Sequence, residues 1–132
     1  MRKIVSRLTA LSPVVLSILR IVVALLFVEH GTSKLFGFPS DQMRPALFSL
    51  FGLAGVLETF VGALVCIGLY TRLAAFLLSG EMAIGYFKVH YPHSFYPILN
   101  HGEPAVLFCF AFFYFVFAGG GRLSVDALQG RA

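Results

Sequence analysis

The chain has 132 residues, 58% of them hydrophobic and 12% charged, with a mean hydropathy of +0.87. Soluble domains carry about 25% charged residues, so this balance excludes an ordinary soluble domain and places the chain in the membrane class. The net charge of +4 does not indicate a nucleic-acid partner, because the basic residues stand at the ends of apolar runs, where they act as topology signals.

Met1-Arg2-Lys3 followed by an apolar stretch imitates a signal peptide. Arg20 interrupts that stretch, and no small-x-small cleavage site precedes Gly31-Thr32-Ser33, so it reads as an uncleaved first span. This first run extends over about 11–36, with Pro13 in its first turn and Gly37-Phe38-Pro39 at its end. A polar link over 40–45 leads to a second run over about 46–70, and Thr71-Arg72 turns into a third over about 73–90. The longest connection, 91–102, is rich in proline and aromatics and predicts a structured interfacial loop. The fourth run, about 103–118, stops at Gly119-Gly120-Gly121, and the tail predicts a short helix capped by Ser124. A bilayer crossing takes roughly 17–25 helical residues. The expected fold is therefore all-α, an antiparallel four-helix transmembrane bundle forming a single membrane domain. Arg2, Lys3, Arg7, Arg72, Arg122 and Arg131 fall on one side and Lys34, Arg44 and Lys88 on the other, which places both termini in the cytoplasm.

Each run carries one glutamate: Glu29, Glu58, Glu81 and Glu103. A carboxylate in hydrocarbon costs about 2.5–3.5 kcal/mol on insertion scales, so such groups are expected to serve the protein interior. At about 1.5 Å of rise per residue, Arg20, Glu58 and Glu81 come out at similar depth near the midplane. The expectation is an ion cluster in which the Arg20 guanidinium meets one or both acids. Glu29, Glu103, His30, His101, Lys88 and His90 fall higher and predict an outer polar mouth. Helical stripes accompany the acids: Arg20, Ala24, Phe27, Gly31 and Lys34 on the first span, Gly55, Glu58, Gly62 and Cys66 on the second, and Ala74, Leu78, Glu81, Gly85 and Lys88 on the third. The inner cluster reads either as a proton relay or polar ligand site, or as an architectural lock on helix register. Glu103, just before Pro104, also suits the positive end of a helix dipole.

Other chemistry is sparse. Cys66 and Cys109 form no CxxC pair and read as small buried hydrophobes. His90 and His93 are separated by Tyr91-Pro92, which breaks a helical face, so no metal site is expected. Phe108, Phe110, Phe112, Phe113, Tyr114, Phe115 and Phe117 suit lipid contact and core packing first, and also permit the wall of a flat cofactor such as a quinone.

Several motifs occur in order: His30-Gly31-Thr32-Ser33-Lys34-Leu35-Phe36-Gly37, Gly52-Leu53-Ala54-Gly55-Val56-Leu57-Glu58, Gly68-Leu69-Tyr70-Thr71-Arg72, Asn100-His101-Gly102-Glu103-Pro104-Ala105, and Gly119-Gly120-Gly121-Arg122-Leu123-Ser124-Val125-Asp126. As an ordered set they resemble the DoxX family of small bacterial integral membrane proteins, over nearly the whole chain from Leu19 to Leu128. The resemblance implies a multi-pass protein of the bacterial inner membrane. It also implies association with a membrane redox system, as a non-catalytic or quinone-associated subunit with a redox partner protein. The polar positions that match are Arg20, His30, Lys34, Glu58, Arg72, Glu103, Arg122 and Asp126; Glu29 and Glu81 match less clearly and rest on the physical argument. The candidate ligand-binding residues are thus Arg20, Glu58, Glu81, Glu103, His30 and Lys34. Two alternatives stand beside the redox reading: a small transporter or proton pathway using the buried carboxylates, and a structural partner without chemistry. A homo-oligomer is compatible with all three.

Overall fold

The computed structural model describes residues 1–41 and 44–131. Gln42 and Met43 of the expected polar link, and Ala132, lie outside the described residues. Within them the chain is helical throughout, with no strand. Helix α1 spans Arg2–Phe36, and α2 spans Leu50–Ile67 with a wide π-type turn at Leu57–Val61. Helix α3 spans Thr71–Gly85 and continues through a second π-type turn, Tyr86–His90. The short α4 is Pro97–Asn100, α5 is Glu103–Ala118 and α6 is Val125–Leu128. Helices α1 and α2 are long and apolar enough to cross a membrane, and α5 is a shorter apolar helix.

The boundaries follow from local chemistry. Helix α1 begins nine residues before the expected start, so Pro13 lies inside it. The ring removes one N–H, and Ser12 Oγ donates instead to the freed Thr9 carbonyl at 2.8 Å. At its far end Gly37 adopts the left-handed conformation (φ 68°). Gly37 N then donates to Ser33 O and Phe38 N to Thr32 O, as in a Schellman cap. Helix α2 starts at Leu50 because Ser49 Oγ accepts from Gly52 N at 3.1 Å. The expected fourth run coincides with α5.

Two helix pairs make the body. Helix α1 packs along α2, and α3 packs along α5. On the α1–α2 seam Gly68 faces the Arg20 guanidinium, Gly62 faces Val28, and Gly55 faces Lys34. On the α3–α5 seam Arg72 meets Val116 and Phe117, and Ser79 meets Cys109. The core between the pairs is Ala24, Phe27, Val65, Ala74, Ala75, Leu78, Phe112 and Phe115. Phe27 stands edge-on to Phe112 with ring centroids 4.8 Å apart, a geometry that aligns ring edge and face charge. The expected α1 stripe is buried as far as Gly31. The opposite faces, among them Val15, Val22, Leu26, Phe60, Phe76 and Phe110, are exposed apolar surface.

Candidate functional site

The molecule has two polar ends. At the end holding the chain termini, the polar groups are spent on tying helices together. Arg20 is fully buried. Its Nε donates to Gly120 O at 2.8 Å, Nη2 donates to Leu123 O at 2.6 Å, and Nη1 donates to the carbonyls of Val65 and Cys66. Val65 and Cys66 belong to the last turn of α2, where carbonyls run short of intrahelical donors; Gly68 N also reaches Val65 O, at 3.1 Å. Arg72 does the same for α5, donating to Val116 O and Phe117 O. Asp126, 5% exposed, accepts from Tyr70 N at 2.9 Å and Thr71 N at 2.8 Å, capping the first turn of α3.

The expected contact of Arg20 with Glu58 and Glu81 is therefore absent, and Arg20 leaves the candidate site. The reason is directional. Side chains on a helix lean toward its N-terminus, so Arg20 reaches down to the level of Gly68. Glu58 lies ten residues along α2 from Gly68, a rise of about 15 Å.

The cation that reaches Glu58 is Lys34. Its Nζ stands 2.6 Å from Glu58 Oε1, with side-chain exposures of 15% and 3%. A Cβ on Gly55 would sit 3.0 Å from Lys34 Cβ, so Lys34 starts about one turn beyond Glu58 and leans back toward it. Gly31, between Arg20 and Lys34 on the same stripe, permits the close approach: a Cβ there would fall 2.6 Å from Thr59 N and 2.9 Å from Glu58 Cβ. The π-type turn over Leu57–Val61 carries Glu58 at this contact. Such turns recur at functional sites because they redirect one side chain without ending the helix.

The Lys34–Glu58 pair lines a half-open cavity of about 790 Å³ between α1, α2, α3 and α5. Phe27, Leu53, Leu57, Phe76, Leu77 and Phe108 give it apolar walls. Glu81, His30 and His101 line it too, together with Lys88 and His90 from the second π-type turn. Glu81 lies within electrostatic reach of both Glu58 and Lys34, and His30 within reach of Glu58. Both carboxyl oxygens of Glu81, and Glu58 Oε2, are buried without a hydrogen-bond partner among the described residues. Buried polar atoms are paired in more than about nine cases in ten, so three orphan carboxyl oxygens around one cavity are exceptional.

Of the six candidate residues, four converge here: Glu58, Glu81, His30 and Lys34. Glu103 does not; it is exposed in the first turn of α5, the dipole position considered for it. Glu29 is also exposed. Of the aromatic residues considered on α5, Phe108 alone lines the cavity; Phe112 and Phe115 are core, and Phe110, Phe113 and Phe117 are exposed. Asn100 organises the loop ahead of α5. It donates from Nδ2 to Ser94 O at 2.8 Å, accepts Gly102 N on Oδ1 at 2.8 Å, and its carbonyl stands 3.0 Å from His90 Nδ1. It thus fixes the loop that brings His90 and His101 to the cavity. Its only sequence signal is an Asn–His–Gly turn before a helix.

A family model described as DoxX matches residues 15–91. A relative from Haemophilus influenzae, described as an uncharacterized protein, is 43% identical over 124 residues, covering 86% of this chain and 90% of its own length. No solved structure matches the chain. The ordered motifs, the apolar helices and these two matches agree: the chain belongs to the DoxX family of membrane proteins.

Proposed function

We propose that this protein is a membrane subunit of a redox system and that its central cavity receives the head of a lipid-soluble quinone. The observation that carries this reading is the set of orphan carboxyl oxygens on Glu58 and Glu81 beside one engaged lysine, all lining an apolar, aromatic cavity. Ligand pockets combine apolar walls with a few convergent polar groups. A quinone offers two carbonyl acceptors, which suit Lys34 and a histidine of the rim. The reduced quinol offers two hydroxyl donors, which suit Glu58 Oε2 and Glu81. A quinone bound here would supply the electron-carrying chemistry, and the residues would bind it, orient it and keep water out.

This reading takes the four long helical segments as an antiparallel transmembrane bundle in the bacterial inner membrane, with both termini cytoplasmic and a redox enzyme as partner. The exposed faces of Phe76, Phe60 and Phe110 suit lipid contact or a second copy of the chain. The test is mass spectrometry of small molecules retained by protein extracted in mild detergent. A stoichiometric quinone, lost on Glu81→Leu, is the expected result; a preparation empty of quinone that also fails to bind an added short-chain quinone overturns the assignment. The same orphan carboxyls favour a proton or solute pathway as the second reading. Flux in proteoliposomes, abolished by Glu58→Gln, would select it.

A further inference from the structure

A second, smaller groove lies at the opposite end of the molecule, between α1 and α5, with a volume of about 350 Å³. Pro13, Leu16 and Ala118 give it an apolar floor, and Ser12, Tyr114 and Arg122 its polar groups. The turn after α5 is pressed onto α1 here: Gly121 has φ 74°, and Arg122 N donates to Pro13 O at 3.1 Å. That backbone contact fixes Arg122 beside the groove and leaves its guanidinium exposed, without a hydrogen bond or ion pair among the described residues.

The other charges at this end are already placed. Arg20 and Arg72 serve helix carbonyls, and Arg131 stands 3.9 Å from Asp126 and over the Tyr70 ring. Asp126 is committed to that arginine and to two amides. Among the described residues, Arg2, Lys3, Arg7 and Arg122 are without an acidic partner. The 35 residues of α1 make a rod of about 52 Å, against a hydrocarbon core of about 30 Å. Residues 1–13 are exposed, and Ile4, Leu8, Leu11 and Val15 run as an apolar stripe down to the basic N-terminus. An unpaired cation lining an apolar groove, with three more along the N-terminal turns of α1, complements an anionic headgroup with attached acyl chains.

We propose that this groove binds an anionic phospholipid, with Arg122 on the phosphate, Tyr114 as a further hydrogen-bond donor, and the acyl chain along Leu16 and Ala118. The inference rests on α1 crossing the bilayer and is independent of what fills the central cavity.

The test is native mass spectrometry of the full chain in neutral detergent, titrated separately with phosphatidylglycerol and phosphatidylcholine. The expected result is selective retention of phosphatidylglycerol, weakened about fivefold by Arg122→Gln, the loss of one interfacial charge. Ser12→Trp, which fills the groove and keeps the charge, is expected to weaken it as well. Equal retention of the two lipids, or undiminished phosphatidylglycerol in both variants, overturns the proposal. Displacement of the lipid by inorganic phosphate would assign the site to a soluble anion, and displacement by a polyglutamate peptide to an acidic protein; either result overturns it. If Arg122→Gln does not fold, Ser12→Trp decides alone. Quinone retention is read from the same spectra and is expected to be unchanged by both substitutions, so failure of the central-cavity reading appears separately.

Discussion

Lys34 and Glu58 form a buried ion pair at 2.6 Å between α1 and α2, where they are both a contact and a constraint. Glu58 Oε1 is satisfied and Oε2 is not, so the pair holds one carboxyl oxygen in reserve beside the cavity. Removing one partner from a buried pair strands the other, at a cost of about 3–5 kcal/mol. Lys34→Met is therefore expected to lower the thermal midpoint in detergent sharply. Lys34→Met combined with Glu58→Leu should recover most of that loss, since an apolar replacement of both partners is often neutral. If the pair is a ligand site, the double variant is stable and still fails to retain quinone. A stable double variant with full retention would show that the pair serves packing alone.

Arg20 yields a different prediction. It donates to four carbonyls from two segments of chain, the end of α2 and the turn after α5, and the planar guanidinium matches that fan in a way an ammonium cannot. Arg20→Lys and Arg20→Leu should both be strongly destabilising, by about 3 kcal/mol or more, because each leaves buried carbonyls unpaired. Whatever folded fraction remains should bind ligand with unchanged affinity. A normal midpoint in Arg20→Lys would sink the clamp assignment.

These two residues show what the sequence makes legible. The periodic stripe on α1 named both Arg20 and Lys34, and burial follows it closely. That Lys34 meets an acid and Arg20 meets carbonyls depends on side-chain direction, which is not visible in apolar runs. Pro13 looked like a first turn because a proline normally begins a helix; here a serine replaces its missing bond. The π-type turns at Glu58 and at Lys88–His90 leave no mark in composition. The acids were easy to find because a carboxylate in an apolar run is costly, and the cavity they share requires the three-dimensional packing of four helices.

Asp126 sets a pH dependence at the closed end. Burial pushes its carboxyl up, but the Thr71 and Tyr70 amides and the Arg131 guanidinium together outweigh burial and hold it below the usual range. The folded value is thus lower than the unfolded value of about 3.9, and between the two the unfolded chain binds more protons. Its contribution is complete above about pH 4 and is lost as pH falls through the folded value. Asp126→Asn should remove that acid-side slope and lower the midpoint at neutral pH by the equivalent of about 1–3 kcal/mol, because the amide nitrogen cannot accept the second backbone N–H. Thermal melts of both proteins from pH 7 to pH 3 check this; parallel curves would show that Asp126 does not titrate with folding.

Glu81 separates stability from function most cleanly. It has no hydrogen-bond partner among the described residues, and both its oxygens are buried, so the fold gains nothing visible from its charge. An apolar side chain of similar size removes the cost of burying an unpaired polar group, about 1–3 kcal/mol on mutational scales. Glu81→Leu is therefore expected to raise the midpoint or leave it unchanged. Most single substitutions at buried sites lower it, so the sign alone is informative. A residue retained against its own stabilising replacement is characteristic of a site kept for activity. Quinone retention, or proton flux under the second reading, should fall in this variant while yield and midpoint hold. A lowered midpoint with unimpaired binding would show that Glu81 is part of the scaffold after all, engaged through a bound water or an ion.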